Sequence, residues 1–215
     1  MQVVLDNLDL FGRGLRLTVG LTLAAFLLAF LIGTLVAAFR VSPVPPLRAA
    51  GAFWVETVRN TPLSVQMVLF YFGFTKLGVR ESGFVSGVIV LGAYTSAFLA
   101  ETIRAGVNTV ARGQAEAARA IGLTFPQTLR IVVLPQALRS VIGPIGNIFI
   151  ALIKNSAAAG AFISVGELFR TAQLLQNETA QPVAVFIGTA VAYLLLTIPS
   201  GRAFAALEHR FAVRR

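Results

Sequence analysis

The sequence predicts an all-helical membrane protein of about five transmembrane helices. Three observations carry that prediction. Hydrophobic residues fill 56% of the 215 positions and charged residues only 13%, too few charges for a soluble domain of this length. The apolar residues fall into long uncharged runs of the length that crosses a bilayer as a helix. Lipid offers no partner for an unpaired backbone, so runs of this kind must be helical. The chain has no cysteine and one histidine, His209. It therefore has no disulfide framework, no thiolate metal site and little material for histidine catalysis. Residues 1–215 read as a single transmembrane domain.

The first span lies within 23 uncharged residues between Arg16 and Arg40. Asp6, Asp9 and the length of this run make the N-terminus a poor signal peptide. Three prolines in Arg40-Val-Ser-Pro-Val-Pro-Pro end the helix. The second span runs from about Ala49 to Leu77 with Glu56 and Arg59 inside it. Thr61-Pro62 predicts a kink there that frees backbone carbonyls toward a cavity. The third occupies 19 uncharged residues between Glu81 and Glu101, and the fourth lies in residues 140–166, whose only charge is Lys154. The fifth lies in 23 uncharged residues between Glu178 and Arg202.

Five spans put the termini on opposite sides. The side with the N-terminus and the 76–81 and 167–178 loops carries five Lys/Arg and five acids. The side with the 40–48 loop, the 101–139 segment and the tail carries eleven arginines and three glutamates. The positive-inside rule predicts that the second side is cytoplasmic. The net charge of +9 is thus a matter of topology, and no nucleic acid is expected as a partner.

"EAARAIGLTFPQTLRIVVLP", residues 116–135, lies in the long cytoplasmic segment. Gln114 to Ile121 fits two turns of helix, with Ala117, Ala118 and Ile121 on one face and Glu116 and Arg119 paired on another. Gly122 is placed for a left-handed C-cap. Thr124 then caps a second helix with Pro126 in its first turn. Patterning alone leaves two readings: a surface for another protein's groove, or a helix lying among the headgroups.

These residues carry a resemblance. Glu116-Ala117-Ala118, Gly122 and Leu134-Pro135 resemble the EAA signature of ATP-binding-cassette importer permeases, with Val132 where isoleucine is usual. "ETVRNTPLSVQMVLFYFG" (56–73), "YTSAFLAETIRAGVNTVARGQAEAARAIG" (94–122) and "LPQALRSVIGPIGNIFIALIKNS" (134–156) resemble the polar amino acid subfamily. The resemblance implies a single permease domain in the bacterial cytoplasmic membrane, with Glu116, Ala117, Ala118 and Gly122 docking into a cytoplasmic ATPase. It also implies an extracytoplasmic amino acid-binding protein and a second permease chain, identical or paralogous. No phosphate-binding Gly-x-x-x-x-Gly-Lys-Ser/Thr loop is present, so the chain itself binds no cofactor and ATP is used by the partner subunit.

Charges inside spans cost roughly 2.5–3.5 kcal/mol each on insertion scales and tend to mark pathways. Glu56, Arg59 and Asn60 share a helix face ahead of Thr61. They either form an internal Glu56–Arg59 ion pair or line a path. Tyr94, Ala97, Phe98 and Glu101 form one face of the third span, with Thr95 and Ser96 beside it. Small hydroxyls there serve most often as packing glue. Lys154-Asn155-Ser156 lies near the middle of the fourth span ahead of three alanines and Gly160. Related permeases often read Lys-Asp-Thr-Ser, so Asn155 removes an acid. The candidate substrate path is Arg59, Asn60, Thr61, Tyr94, Ser96, Glu101, Lys154, Asn155 and Ser156. Two cations against Glu56 point to an acidic substrate, glutamate or aspartate, with glutamine as the alternative. An intramembrane enzyme lacks its paired acids or nucleophile–base set here. A scaffold or passive channel would leave the capped helix without a purpose.

Overall fold

The computed structural model describes residues 2–79 and 81–211, and every regular element among them is helical. A short α1 (Gln2–Leu5) leads into the 33-residue α2 (Leu8–Arg40). At 1.5 Å per residue α2 is about 50 Å long, well beyond the ~30 Å hydrocarbon core. The second span is two helices, α3 (Pro45–Asn60) and α4 (Leu63–Lys76), broken at Thr61-Pro62 as the sequence predicts. Pro62 has no N–H and disfavours helical backbone at Thr61, which is extended at φ −102° and ψ 128°. The third span, α5 (Gly83–Thr109), starts on the Ser82 side chain, which accepts from Val85 N, and continues past Glu101.

Next come α6 (Arg112–Ala120), a single turn α7 (Phe125–Gln127), a π-helical stretch Thr128–Val133 and α8 (Leu134–Ser140). The π turn has a local cause. Pro135 cannot donate to the helix and crowds the carbonyl one turn before it, and the widened turn absorbs that misfit. The fourth span is α9 (Ile142–Asn155) followed through Ser156 by α10 (Ala157–Ile163). Then α11 (Leu168–Thr179) and the 30-residue α12 (Pro182–Phe211) complete the chain. Four stretches are long and apolar enough to cross a membrane unaided: α2, α5, α9–α10 and α12. The broken α3–α4 pair makes up the fifth expected span.

The long α2 is the central post, packed most extensively on α5. Small residues allow this: a side chain at Gly33 would stand 2.9 Å from the Ser96 carbonyl. One core joins Leu21 and Ala25 to Met67, Leu91, Leu152 and Ala159, which ties α2 to α4, α5, α9 and α10. Another lies at the opposite end from α6, where Val3 and Val4 pack with Phe11, Leu168, Leu175 and Val185. It places α1, α11 and the start of α12 together, as an odd number of spans between them and α6 requires. Leu23, Leu27, Leu31 and Leu35 form an exposed stripe along α2, the face expected of a helix in lipid.

Candidate coupling helix and polar membrane sites

The segment between the third and fourth spans contains the expected capped helix, one or two residues earlier than its sequence prediction. Gly122 has φ +90°. Its N–H donates to the Arg119 carbonyl (3.0 Å), and Leu123 N donates to the Ala118 carbonyl (3.1 Å). This paired closure of the last turn needs a left-handed residue after the helix. Thr124 and Gln127 form the start of the next turn: Gln127 Oε1 accepts from Thr124 N at 2.8 Å and from Thr124 Oγ1 at 2.9 Å.

Two details differ from the sequence expectation. Ala118 does not share the outward face, because it is 5% exposed and packs into the chain. Its spacing of three from half-buried Ala115 defines the inward face, while Ala117 and Ile121, four apart, point outward. Ile121 is 81% exposed. Glu116 and Arg119 form no salt bridge, since the two found among the described residues both involve Glu101. Both side chains are exposed, where such a pair gains little. Behind α6, Val41, Asn108, Arg119, Thr128 and neighbouring apolar residues line a hollow of about 510 Å³.

The polar residues within the spans fall into separate groups. Arg59 and Glu56 are both exposed and form no ion pair with each other, which disposes of the internal-pair reading. The Arg59 guanidinium instead lies 5.1 Å from the centre of the Phe98 ring, which in turn packs at a tilt against Tyr94 with ring centres 5.1 Å apart. Cation–π contact lets a guanidinium sit near a span while keeping its charge available to a ligand. Asn60 is exposed beside it, and Thr61 Oγ1 donates back to the Thr57 carbonyl at 2.8 Å.

Ser96 is fully buried and accepts from Trp54 Nε1 at 3.1 Å, the packing-glue arrangement, joining α5 to α3. Glu101 is held between two arginines: Arg40 Nη2 donates to Oε2 at 3.2 Å and Arg104 Nε to Oε1 at 2.6 Å. Arg40 ends α2, so this cluster clamps the α6-facing ends of α2 and α5 together. On the fourth span, Lys154 is exposed with no salt bridge or side-chain hydrogen bond among the described residues. Asn155 is half-buried, and Ser156 is buried with its hydroxyl donating to the Ile153 carbonyl at 2.7 Å. No metal-binding cluster of acids and histidine occurs among the described residues.

One buried polar group escapes sequence reasoning. Glu167, a loop acid by sequence, is 0% exposed and caps α11. Burial pushes its carboxyl above the ordinary carboxylate range, against the lowering effect of its backbone hydrogen bonds. The legible signal was a glutamate directly before the amphipathic run Leu168-Phe-Arg-Thr-Ala-Gln-Leu-Leu. The Arg59–Phe98 contact is likewise illegible in the sequence, because it joins residues 39 positions apart.

Residues 21–213 match the family described as "Binding-protein-dependent transport system inner membrane component". A probable glutamine ABC transporter permease from Bacillus subtilis is 39% identical over 98% of this chain and 97% of its own. A glutamate transport system permease from Corynebacterium glutamicum is 40% identical over 92% of each chain. The crystal structure of an amino acid ABC transporter "with histidines" superposes with a TM-score of 0.89 at 33% identity, over 96% of both chains. An inward-facing methionine transporter superposes at 0.85 with 22% identity, over 97% of this chain and 99% of that one, and shows the fold alone. The chain belongs to this family of ABC transporter permeases, in its polar amino acid branch. It is a multi-pass membrane transport subunit rather than an enzyme, and ATP hydrolysis resides on a separate subunit.

Proposed function

We propose that this permease carries an acidic amino acid, glutamate or aspartate, inward across the bacterial cytoplasmic membrane. The observation that carries the reading is that two cations at the level of the spans, Arg59 and Lys154, have no carboxylate partner among the described residues. Glu56 does not neutralise Arg59, and Asn155 brings no charge. A cationic substrate near them would meet like charge that no neighbouring carboxylate offsets. Asn155 offers both a donor and an acceptor to a ligand. Tyr94, Asn60 and Thr61 complete the proposed path, while Ser96, Glu101 and the buried Ser156 support it through their contacts within the chain. Glutamine is the second reading, favoured by the name of the Bacillus subtilis relative. Lys154 would then take the α-carboxylate.

The proposed assembly has the N-terminus, α1 and α11 outside and α6 with the tail in the cytoplasm, following the arginine asymmetry. On α6, Glu116, Ala117, Ala118 and Gly122 form the coupling element, with Ala117 and Ile121 touching the ATPase and Ala118 and Gly122 setting the helix in place. An extracytoplasmic binding protein delivers substrate. A second permease chain covers α3–α4, where Phe53, Val65, Leu69 and Phe72 are exposed beside Glu56 and Arg59. Lipid against that face would strand two charges, and a protein partner would not.

The test is uptake of labelled glutamate by the reconstituted complex with its ATPase and binding protein. Lys154→Gln and Arg59→Gln should each lower glutamate uptake about tenfold or more, the effect of one charge-assisted contact. Unchanged uptake in both variants would refute the cationic path.

A further inference from the structure

Glu167 is the only fully buried acid among the described residues, and neither the coupling element nor the proposed path uses it. Its carboxylate gathers three helices. Oε1 accepts from Arg170 N at 2.9 Å, and Oε2 accepts from Phe169 N at 3.0 Å, both in the first turn of α11. Tyr193 of α12 donates its hydroxyl to Oε2 at 2.8 Å. The carboxylate also packs closely against Gly160 of α10, where an added Cβ would stand 1.9 Å from Oε1. One residue further on, Leu168 N donates to Thr18 Oγ1 of α2 at 3.1 Å, fixing the same turn to the central post.

This contact has no slack. Gly160 lies four residues, one helical turn, beyond Ser156, and α10 continues directly from the Lys154–Ser156 junction. At the other end of the linkage, α11 presents Leu174, Asn177 and Glu178 to solvent. A displacement of α11 moves the Glu167 carboxylate with it, because two of its hydrogen bonds are to the backbone of α11. The carboxylate in turn bears on Gly160 with no side chain between them.

We infer that Glu167 is a positioning residue that transmits the position of α11 to the Lys154–Ser156 segment, so that docking of the binding protein at the α1–α11 end resets the path. The inference rests on the import reading and adds a route by which the outer face reaches the membrane site.

The experiment measures ATPase activity of the reconstituted complex of permease, ATPase and binding protein, as the liganded binding protein is titrated. Glu167→Gln turns an acceptor-only carboxylate into an amide whose NH2 opposes a backbone donor of α11. Tyr193→Phe removes one donor and keeps the ring in place. Both variants should assemble and retain the ATPase rate seen without binding protein. Maximal stimulation should fall about fivefold or more, within the usual range of coupling between sites. The concentration giving half-maximal stimulation should not move, because docking itself is intact. Native-like stimulation in both variants would overturn the inference, as would an equal fall in the unstimulated rate, which marks a role in the fold alone. A native complex that binding protein does not stimulate would overturn the import reading beneath it.

Discussion

Replacing Gly122 isolates the contribution of one backbone conformation to coupling. Its φ is +90°, and a Cβ there would meet nothing within 4 Å. A substitution therefore creates no clash, and its whole effect is conformational. Holding an L-residue in left-handed backbone costs about 1–2 kcal/mol, a factor of about 5–30 in the population of the closed turn. The turn carries the bonds from Gly122 N to Arg119 and from Leu123 N to Ala118, and so fixes the angle between α6 and the π-helical stretch that leads to α8. Gly122→Val should lower both ATPase co-purification and ATP-driven uptake by that factor while the chain still inserts in the membrane. Gly122→Asn should recover most of the loss, because asparagine tolerates left-handed backbone through local hydrogen bonding. Equal coupling in the native, valine and asparagine proteins would refute the assignment of this turn.

Ala117→Arg, on the exposed face of α6, should abolish retention of the ATPase on the tagged permease without lowering permease yield. Ala118→Arg, on the buried face, should reduce the yield itself, so a pull-down normalised to membrane content separates the two. Single cysteines introduced at Gln2 and Asn177, both exposed at one end, should react with an impermeant thiol reagent in intact cells. A cysteine at Gln114 should react only after the membrane is opened, and labelling there in intact cells would invert the topology.

Local signals were the readable part of this chain. Uncharged runs, the Pro62 break, the Gly122 cap and the Thr124 start each depend on residues a few positions apart, and each takes its expected form. The long helices overrun the ends that the flanking charges would set. Glu101 and Arg104 stay helical within α5 by pairing with each other and with Arg40, so their charge does not end the helix. What sequence spacing cannot show is which distant partner a polar residue finds. Arg59 of α3 rests on Phe98 of α5, 39 positions away, and Glu167 reaches Tyr193 across 26 positions. The buried position of Ala118 is illegible for a related reason. In a nine-residue helix with four alanines and no larger apolar side chain, the pattern alone does not distinguish the buried face from the exposed one.

The central claim is that the membrane path favours a negatively charged amino acid, and competition for uptake tests it most directly. Labelled glutamate uptake by the reconstituted complex is challenged with unlabelled glutamate, glutamine or arginine, in the native protein and in Asn155→Asp. Glutamate should compete best in the native complex, and Asn155→Asp should weaken it selectively by placing a carboxylate beside Lys154. Arginine competing better than glutamate in the native complex would contradict the account.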